Sequence, residues 1–211
     1  MAARAIAAAA ALISLAGLVL RTVLNVGANL EKGESAGAAL WHLAGLFTIW
    51  GNVAVVVVAG AIALAPRSAI GGPRVRTAVA AAIIIIGVVF ALLLRYLLAG
   101  EPLMPRIASY LMHDYAPVAF ALAWLLAGHG RLAWRDALWA LLLPGVYLAV
   151  VLVRGLAEGF APYWFLDIQT LGLALYARNA AGLAVGFAAI GLALVAIDKT
   201  LARLAGRAAS E

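Results

Sequence analysis

The sequence contains no cysteine, and only 11% of its 211 residues are charged. The absence of cysteine excludes disulfides, thiolate metal sites and cysteine nucleophiles. Soluble domains are about half apolar and about a quarter charged, whereas 67% of this chain is hydrophobic. A soluble fold of this size cannot bury so much apolar surface. The composition therefore excludes a water-soluble enzyme, a disordered chain and a coiled coil, and it predicts an integral membrane protein.

The sequence also has no metal-ligand spacing, no phosphate-binding loop and no GxGxxG motif, and it has only three histidines. We therefore expect neither a metal nor a cofactor. The net charge is +6, but the basic residues lie between hydrophobic runs and do not form one basic cluster. This pattern orients membrane helices and argues against nucleic acid as a partner.

Six hydrophobic runs are long enough to cross a bilayer, which takes roughly 20 apolar residues. Runs of valine and isoleucine at 55–58 and 83–86 favour strands in water, but a lone strand in lipid leaves its backbone unpaired, so we expect helices. The prediction is an all-α polytopic protein with a single six-helix transmembrane domain over 1–211. The predicted spans are 5–24, 38–65, 77–99, 105–127, 137–156 and 174–197. The first run resembles a secretory signal, but its length and Arg21 favour a retained helix.

Basic residues are distributed unevenly between the two predicted sides of the membrane. Nine lie in the two termini and in the second and fourth loops, whereas six lie on the other side, four of them at helix ends. Because positive charge is enriched on the cytoplasmic side, we predict a multi-pass protein of the cell membrane with both termini in the cytoplasm. Arg21 and Arg95 fall near the outer surface, where each either extends to the interface or meets a carboxylate or phosphate.

The second predicted helix carries a polar stripe. Trp41, Gly45, Thr48 and Asn52 follow spacings of 4, 3 and 4, which place them on one helix face. Polar groups in lipid usually face the protein interior or a wet cavity. The alternative is structural, since intramembrane threonines commonly bond to their own helix backbone and glycines allow close helix packing.

The fourth predicted helix carries a second stripe of Ser109, His113 and Pro117, with Asp114 one residue further round. An intramembrane histidine is a functional candidate, although a carbonyl or water could also satisfy a purely structural one. If both helices run inward, Thr48 and His113 lie about 12–15 Å below the same surface, at 1.5 Å per residue. A hydroxyl and an imidazole at equal depth can form an activated nucleophile.

Several segments resemble motifs of a bacterial six-helix membrane family. Leu-Phe-Thr-Ile-Trp-Gly-Asn at 46–52 resembles its Phe-Thr-x-x-x-Asn element, and His-Asp-Tyr-Ala-Pro at 113–117 resembles its His-x-x-x-Pro helix. Segments at 123–126, 130–137, 147–155 and 162–167 resemble its other elements. This family is similar to the eukaryotic androgen-induced and androgen-dependent TFPI-regulating proteins, which are threonine hydrolases of fatty acid esters of hydroxy fatty acids.

The resemblance implies that Thr48 and His113 are the catalytic threonine and histidine of a lipid-ester hydrolase. Thr48 is then the nucleophile and His113 the base, and the substrate is a membrane lipid or fatty-acid ester that enters sideways from the bilayer. From their stripes, Asn52 and Ser109 are predicted to bind the substrate by stabilising the oxyanion. Asp114 projects about 100° away from His113 and is a weak candidate for orienting it. The alternative is a non-enzymatic membrane protein that binds or transports a lipid or small molecule.

Overall fold

In the computed structural model, which describes residues 1–208, the chain is all-helical and no strand occurs within that range. Five helices in the described range are long and apolar enough to cross a bilayer, and this is consistent with a membrane-embedded protein. Helices satisfy this requirement because they pair their own backbone groups in lipid. The five are Ala2–Glu31, Phe47–Leu64, Pro73–Leu98, Trp134–Glu158 and Ile168–Gly206.

The chain divides into two compact units. The first is Met1–Gly128 and the second begins at His129. The single domain expected over 1–211 stays a prediction.

The first unit is built from six α-helical segments. The long helix α1 packs along α3 and also contacts α5 and α6, while α4 packs against α3 and α6. The segments are α1 (Ala2–Glu31), α2 (Ala36–Ala44), α3 (Phe47–Leu64), α4 (Pro73–Val89), α5 (Leu103–Tyr110) and α6 (Ala116–Leu125).

Small residues allow α1 to approach its neighbours closely. Ala7, Ala10, Ser14 and Gly17 are buried along one face. A Cβ atom on Gly17 would lie 2.6 Å from the side chain of Met112, so a larger residue there would displace the neighbouring helix. Without water in the surroundings, helices associate through such close packing.

The predicted second span is interrupted. A single helix was expected over 38–65, but α2 ends at Ala44 and α3 begins at Phe47. Leu46 is extended (φ −96°, ψ 125°) at the junction. The indole of Trp50 donates to the carbonyl of Ala44 at 2.7 Å, which satisfies an acceptor at the end of α2. The break separates the predicted stripe, so that Trp41 is 54% exposed while Asn52 is fully buried.

Two π-helical turns interrupt the other helices of this unit. One covers Phe90–Leu94 at the end of α4, and a short 3₁₀ segment follows it over Arg95–Leu98. The other, Leu111–Tyr115, joins α5 to α6, and the N–H of Ala116 bonds back to the carbonyl of Leu111. Pro117 lacks the N–H that would continue an α-helical ladder here. The predicted fourth span, 105–127, lies almost wholly within this interrupted helix at 103–125.

The second unit contains the last two predicted spans. A 3₁₀ segment at Trp134–Leu141 leads into α7 (Leu142–Glu158), and α8 (Ile168–Ala208) follows, with a kink at Gly172 (φ 71°). The predicted spans 137–156 and 174–197 fall inside these helices, which extend further than predicted. Asp198 of α8 is 1% exposed. Its carboxylate accepts hydrogen bonds from the backbone N–H groups of Gly130 and Leu132.

Candidate active site

Thr48 and His113 meet inside the first unit. The Thr48 hydroxyl oxygen lies 3.1 Å from Nε2 of His113, although the two residues are 65 positions apart in the sequence. Thr48 is 8% exposed and sits in the first turn of α3. The proximity estimated from their depths is therefore what the structure shows, and the contact is a direct hydrogen bond.

The other nitrogen of the ring determines which partner donates. Nδ1 of His113 lies 2.9 Å from the carbonyl oxygen of Ser109. A carbonyl only accepts, so Nδ1 carries the proton and Nε2 carries the lone pair. The Thr48 hydroxyl then donates to Nε2. This is the direction of proton transfer that a general base requires.

The Phe90 ring packs against the face of the His113 imidazole. The two rings stack with centroids 4.1 Å apart and an angle of 18° between their planes. Each of the two rings belongs to a π-helical turn. This contact was not predicted from the sequence, because a single phenylalanine in an aliphatic span is common. The stacking fixes the ring plane, while the bond to Ser109 fixes its rotation.

Gly87 allows α4 to approach the histidine backbone. A Cβ atom at Gly87 would lie 3.0 Å from the carbonyl oxygen of His113 and 3.3 Å from the ring of Pro117. Such contacts are tighter than ordinary van der Waals packing. The absence of a side chain at Gly87 therefore lets Phe90, one turn further along, reach the imidazole.

Asn52 lies beside the pair but has a different set of contacts from the one expected. Its side-chain amide donates to the carbonyl of Thr48 at 2.9 Å and to that of Met112 at 3.3 Å. Both amide hydrogens are used, and the buried Oδ1 has no partner within residues 1–208. An oxyanion needs donors, whereas the free atom here is an acceptor. The contacts thus make Asn52 a link between α3 and the π turn that carries His113.

Ser109 also reaches the site through a different atom from the one expected. It is buried, at 8% exposure, and its carbonyl orients His113. A role of the Ser109 hydroxyl in binding substrate stays a prediction.

The break between α2 and α3 leaves donors at the nucleophile. The first N–H groups of any helix lack partners within that helix, and no side chain caps the start of α3. Leu46 N–H bonds to Leu43 and Ile49 N–H bonds to Leu46, but no hydrogen bond of the Thr48 N–H occurs within residues 1–208. A donor therefore sits on the residue that carries the reactive hydroxyl.

Asp114 pairs with a cation and not with the histidine. Its Oδ1 forms an ion pair with Arg95, which lies just after the π turn of α4. The sequence placed Asp114 on a face turned away from His113, and the ion pair agrees with that. The sequence analysis allowed Arg95 a carboxylate or phosphate partner, but it did not identify Asp114 as that partner.

No group of three or more metal-ligating side chains occurs among the described residues. In the second unit, His129 and Asp198 form a pair with 3.1 Å between Nδ1 and the carboxylate. Asp198 also binds two backbone N–H groups, so the pair anchors the segment after Gly128 to α8.

Comparisons with protein-family models, with curated proteins and with solved structures found no match for the chain.

Proposed function

We propose that the protein is an intramembrane lipid-ester hydrolase in which Thr48 is the nucleophile and His113 is the general base. The observation that carries the proposal is the 3.1 Å contact between the Thr48 hydroxyl and Nε2 of His113. The bond from Nδ1 to the Ser109 carbonyl supports it by holding the tautomer that accepts a proton. The family resemblance of the motifs at 46–52 and 113–117 points to the same two residues, and it too stays a prediction.

The reaction proceeds in two balanced halves. The Thr48 oxygen attacks the ester carbonyl while its proton moves to Nε2 of His113. The tetrahedral intermediate then collapses, the bond to the alcohol oxygen breaks, and His113 returns the proton to the leaving alcohol. Water attacks the acyl-threonine in the second half, losing a proton to His113. The fatty acid leaves, and the proton goes back to the Thr48 oxygen.

The oxyanion of each intermediate is assigned to the Thr48 N–H. The backbone N–H of a nucleophile serves this purpose in serine proteases, and the position of Thr48 in the first turn of α3 makes its N–H available. The positive end of the α3 dipole also favours developing negative charge there. Asn52 contributes indirectly by holding the carbonyl of Thr48.

The membrane setting of the proposal is a six-span protein of the cell membrane with both termini in the cytoplasm. The helical stretch 103–125 is taken as the sixth span, in addition to the five apolar helices. An ester dissolved in the bilayer would then reach Thr48 from the side, between helices, without leaving the hydrocarbon.

The proposal is tested with purified protein in nanodiscs and a panel of long-chain esters. Thr48→Ala and His113→Ala are each expected to lower kcat at least a hundredfold, because general-base catalysis alone contributes about 10²–10⁴. Thr48→Ser is expected to retain measurable turnover, because it keeps the hydroxyl. Thr200→Ala and His42→Ala are the matched controls, since Thr200 bonds to a carbonyl of its own helix in the second unit and His42 is exposed on α2.

Parent-level turnover in both site variants would reject the enzyme. Retention of a bound lipid without turnover by the parent protein would favour the alternative, a lipid-binding membrane protein. A fluorophosphonate probe separates the two cases, because it labels an activated hydroxyl at Thr48 and leaves a plain binding site unmodified.

A further inference from the structure

Arg21 is an arginine on the inner face of an apolar helix. The exposed face of α1 carries Leu12, Leu15, Val19 and Val23. At about 100° per residue, Arg21 falls on the opposite side, near the middle of the arc formed by the buried Ala7, Ala10, Ser14 and Gly17. The side chain is accordingly half-buried. An arginine that only extends to the membrane surface is expected on the exposed face of the helix, not on the buried one.

The face of α1 that carries Arg21 packs against the segment that carries His113. Gly17, one turn before Arg21, contacts Leu111 and Met112, the residues just before His113. Helix α1 packs against the π turn that carries His113, and Arg21 is close enough for its charge to act on the imidazole. The guanidinium therefore belongs to the electrostatic surroundings of the Thr48–His113 pair.

Arg21 has no counter-charge among the described residues 1–208. It makes no ion pair or hydrogen bond with any residue in the described range 1–208, and the nearby carboxylate of Asp114 is already paired with Arg95. Intramembrane arginines normally pair or mark a ligand pathway, because an unpaired charge in lipid is costly. A guanidinium presents several donors in one plane and binds carboxylate or phosphate oxygens through two of them.

We propose that Arg21 is a specificity-determining residue that binds an oxyanion group, a carboxylate or a phosphate, at the polar end of the lipid whose ester faces Thr48. This inference rests on the proposed function. It deepens that function by restricting the substrate class to esters that also carry a negative charge. In this arrangement the anionic group of the lipid binds Arg21 on α1, while its ester lies at Thr48 on α3.

The experiment compares two chromogenic esters that differ only in charge. The first is the mono-4-nitrophenyl ester of a long-chain dicarboxylic acid, and the second is its methyl ester, which is neutral. The parent protein, Arg21→Gln and Arg21→Lys are assayed in nanodiscs, with size-exclusion profiles to establish folding. Arg178→Gln is the matched control, because Arg178 lies on α8 and, within residues 1–208, bonds only to its neighbour Asn179.

The readout is the ratio of kcat/KM for the anionic ester to that for the neutral ester. Arg21→Gln is expected to lower this ratio by about tenfold to a hundredfold, the range of a charge-assisted hydrogen bond. The loss is expected in KM more than in kcat, and Arg21→Lys should recover part of it. A ratio within twofold of the parent value, or an equal loss in Arg178→Gln, would overturn the inference.

A binding measurement keeps the inference testable if the protein hydrolyses neither ester. Oleate, oleyl phosphate and oleyl alcohol are titrated against the parent and Arg21→Gln in phosphatidylcholine nanodiscs, with empty discs as the blank. The parent is expected to bind one of the two anions at least tenfold more tightly than the alcohol, and Arg21→Gln to lose that preference. The preferred anion identifies a carboxylate or a phosphate, and repeating the titration with phosphatidylglycerol shows whether a headgroup competes. Equal binding by the two proteins would refute the role of Arg21 independently of catalysis.

Discussion

The amide of Asn52 connects two parts of the site that are 60 positions apart in the sequence. It donates to the carbonyl of Met112 as well as to that of Thr48 in its own helix. Since it is fully buried, its loss cannot be replaced by water from the surface.

Replacing Asn52 by leucine, which has a similar volume, tests this link. The change leaves the Met112 carbonyl without its donor, and we expect a loss of about 1–2 kcal/mol in unfolding free energy together with reduced turnover. Unfolding in mixed micelles and an ester assay measure the two effects. Asn29→Leu is a comparison, because the Asn29 side chain donates to Asn25 of its own helix and does not link two segments. Equal stability of Asn52→Leu and the parent protein would contradict the link.

The indole of Trp124 forms a second buried polar contact in the first unit. Its Nε1–H donates to the hydroxyl of Thr77 at 2.9 Å, and Trp124 is 2% exposed. A double-mutant cycle of Trp124→Phe and Thr77→Val is expected to give a coupling of about 0.5–1.5 kcal/mol, the usual contribution of a neutral hydrogen bond. Additive single effects in unfolding experiments would show that the bond contributes nothing.

At the scale of single residues, the sequence predicted that the Thr48 and His113 side chains meet. It did not predict how the residues around them contribute to the site. The stripes and depths of Thr48 and His113 follow from helical spacing, and the two residues do make contact. The contributions of Asn52 and Ser109 depend on which atom faces the pair, and spacing does not encode that. Phe90 could not be predicted, because ring stacking between two helices depends on their rotation in three dimensions.

At the scale of elements, the close approach of α4 to the segment that carries His113 holds the imidazole in position. Gly87→Ala would place a methyl group 3.0 Å from the carbonyl oxygen of His113. We expect α4 to shift outward, Phe90 to lose its stacking contact, and turnover to fall about tenfold or more while the fold persists.

The control for this prediction is Gly60→Ala on α3. A Cβ atom at Gly60 would meet nothing within 4 Å, so the change is expected to be neutral or slightly stabilising, because alanine favours helix. Equal activity of the Gly87→Ala and Gly60→Ala proteins would show that the close approach does not position the histidine.

Helix existence was predictable, but the interruptions were not. The long apolar runs place helices close to where the structure has them, because a chain in lipid must pair its own backbone. The break at Leu46 and the two π turns depend instead on local competition for carbonyl groups, such as the donation from Trp50 to Ala44. Gly45 was the one signal of a break, and it was read as part of a continuous stripe.

The number of membrane crossings is a property of the whole molecule, and the absence of cysteine from the sequence makes it measurable. Single cysteines at Lys32, Arg67 and Arg131 can be probed in intact cells with an impermeant maleimide. Six crossings with cytoplasmic termini predict labelling at Lys32→Cys only. If the stretch 103–125 does not cross, Arg131→Cys is labelled as well, which would reject the six-span arrangement. Lysed cells, in which all three react, provide the control for accessibility.

The division into two units places the candidate chemistry in one of them. Thr48, His113, Phe90 and Arg21 all belong to Met1–Gly128. Composition alone indicated a membrane protein, but it carries no information about such a division.

The π turn at Leu111–Tyr115 has a consequence for how such a site could arise. A π turn holds one more residue than an α turn of the same helix, so it corresponds to a single inserted residue. Deleting one residue from it would remove the extra residue and leave the flanking segments facing the same neighbours, with Pro117 still unable to donate an N–H to the ladder. A folded but inert protein and a chemically competent one would then differ by one codon.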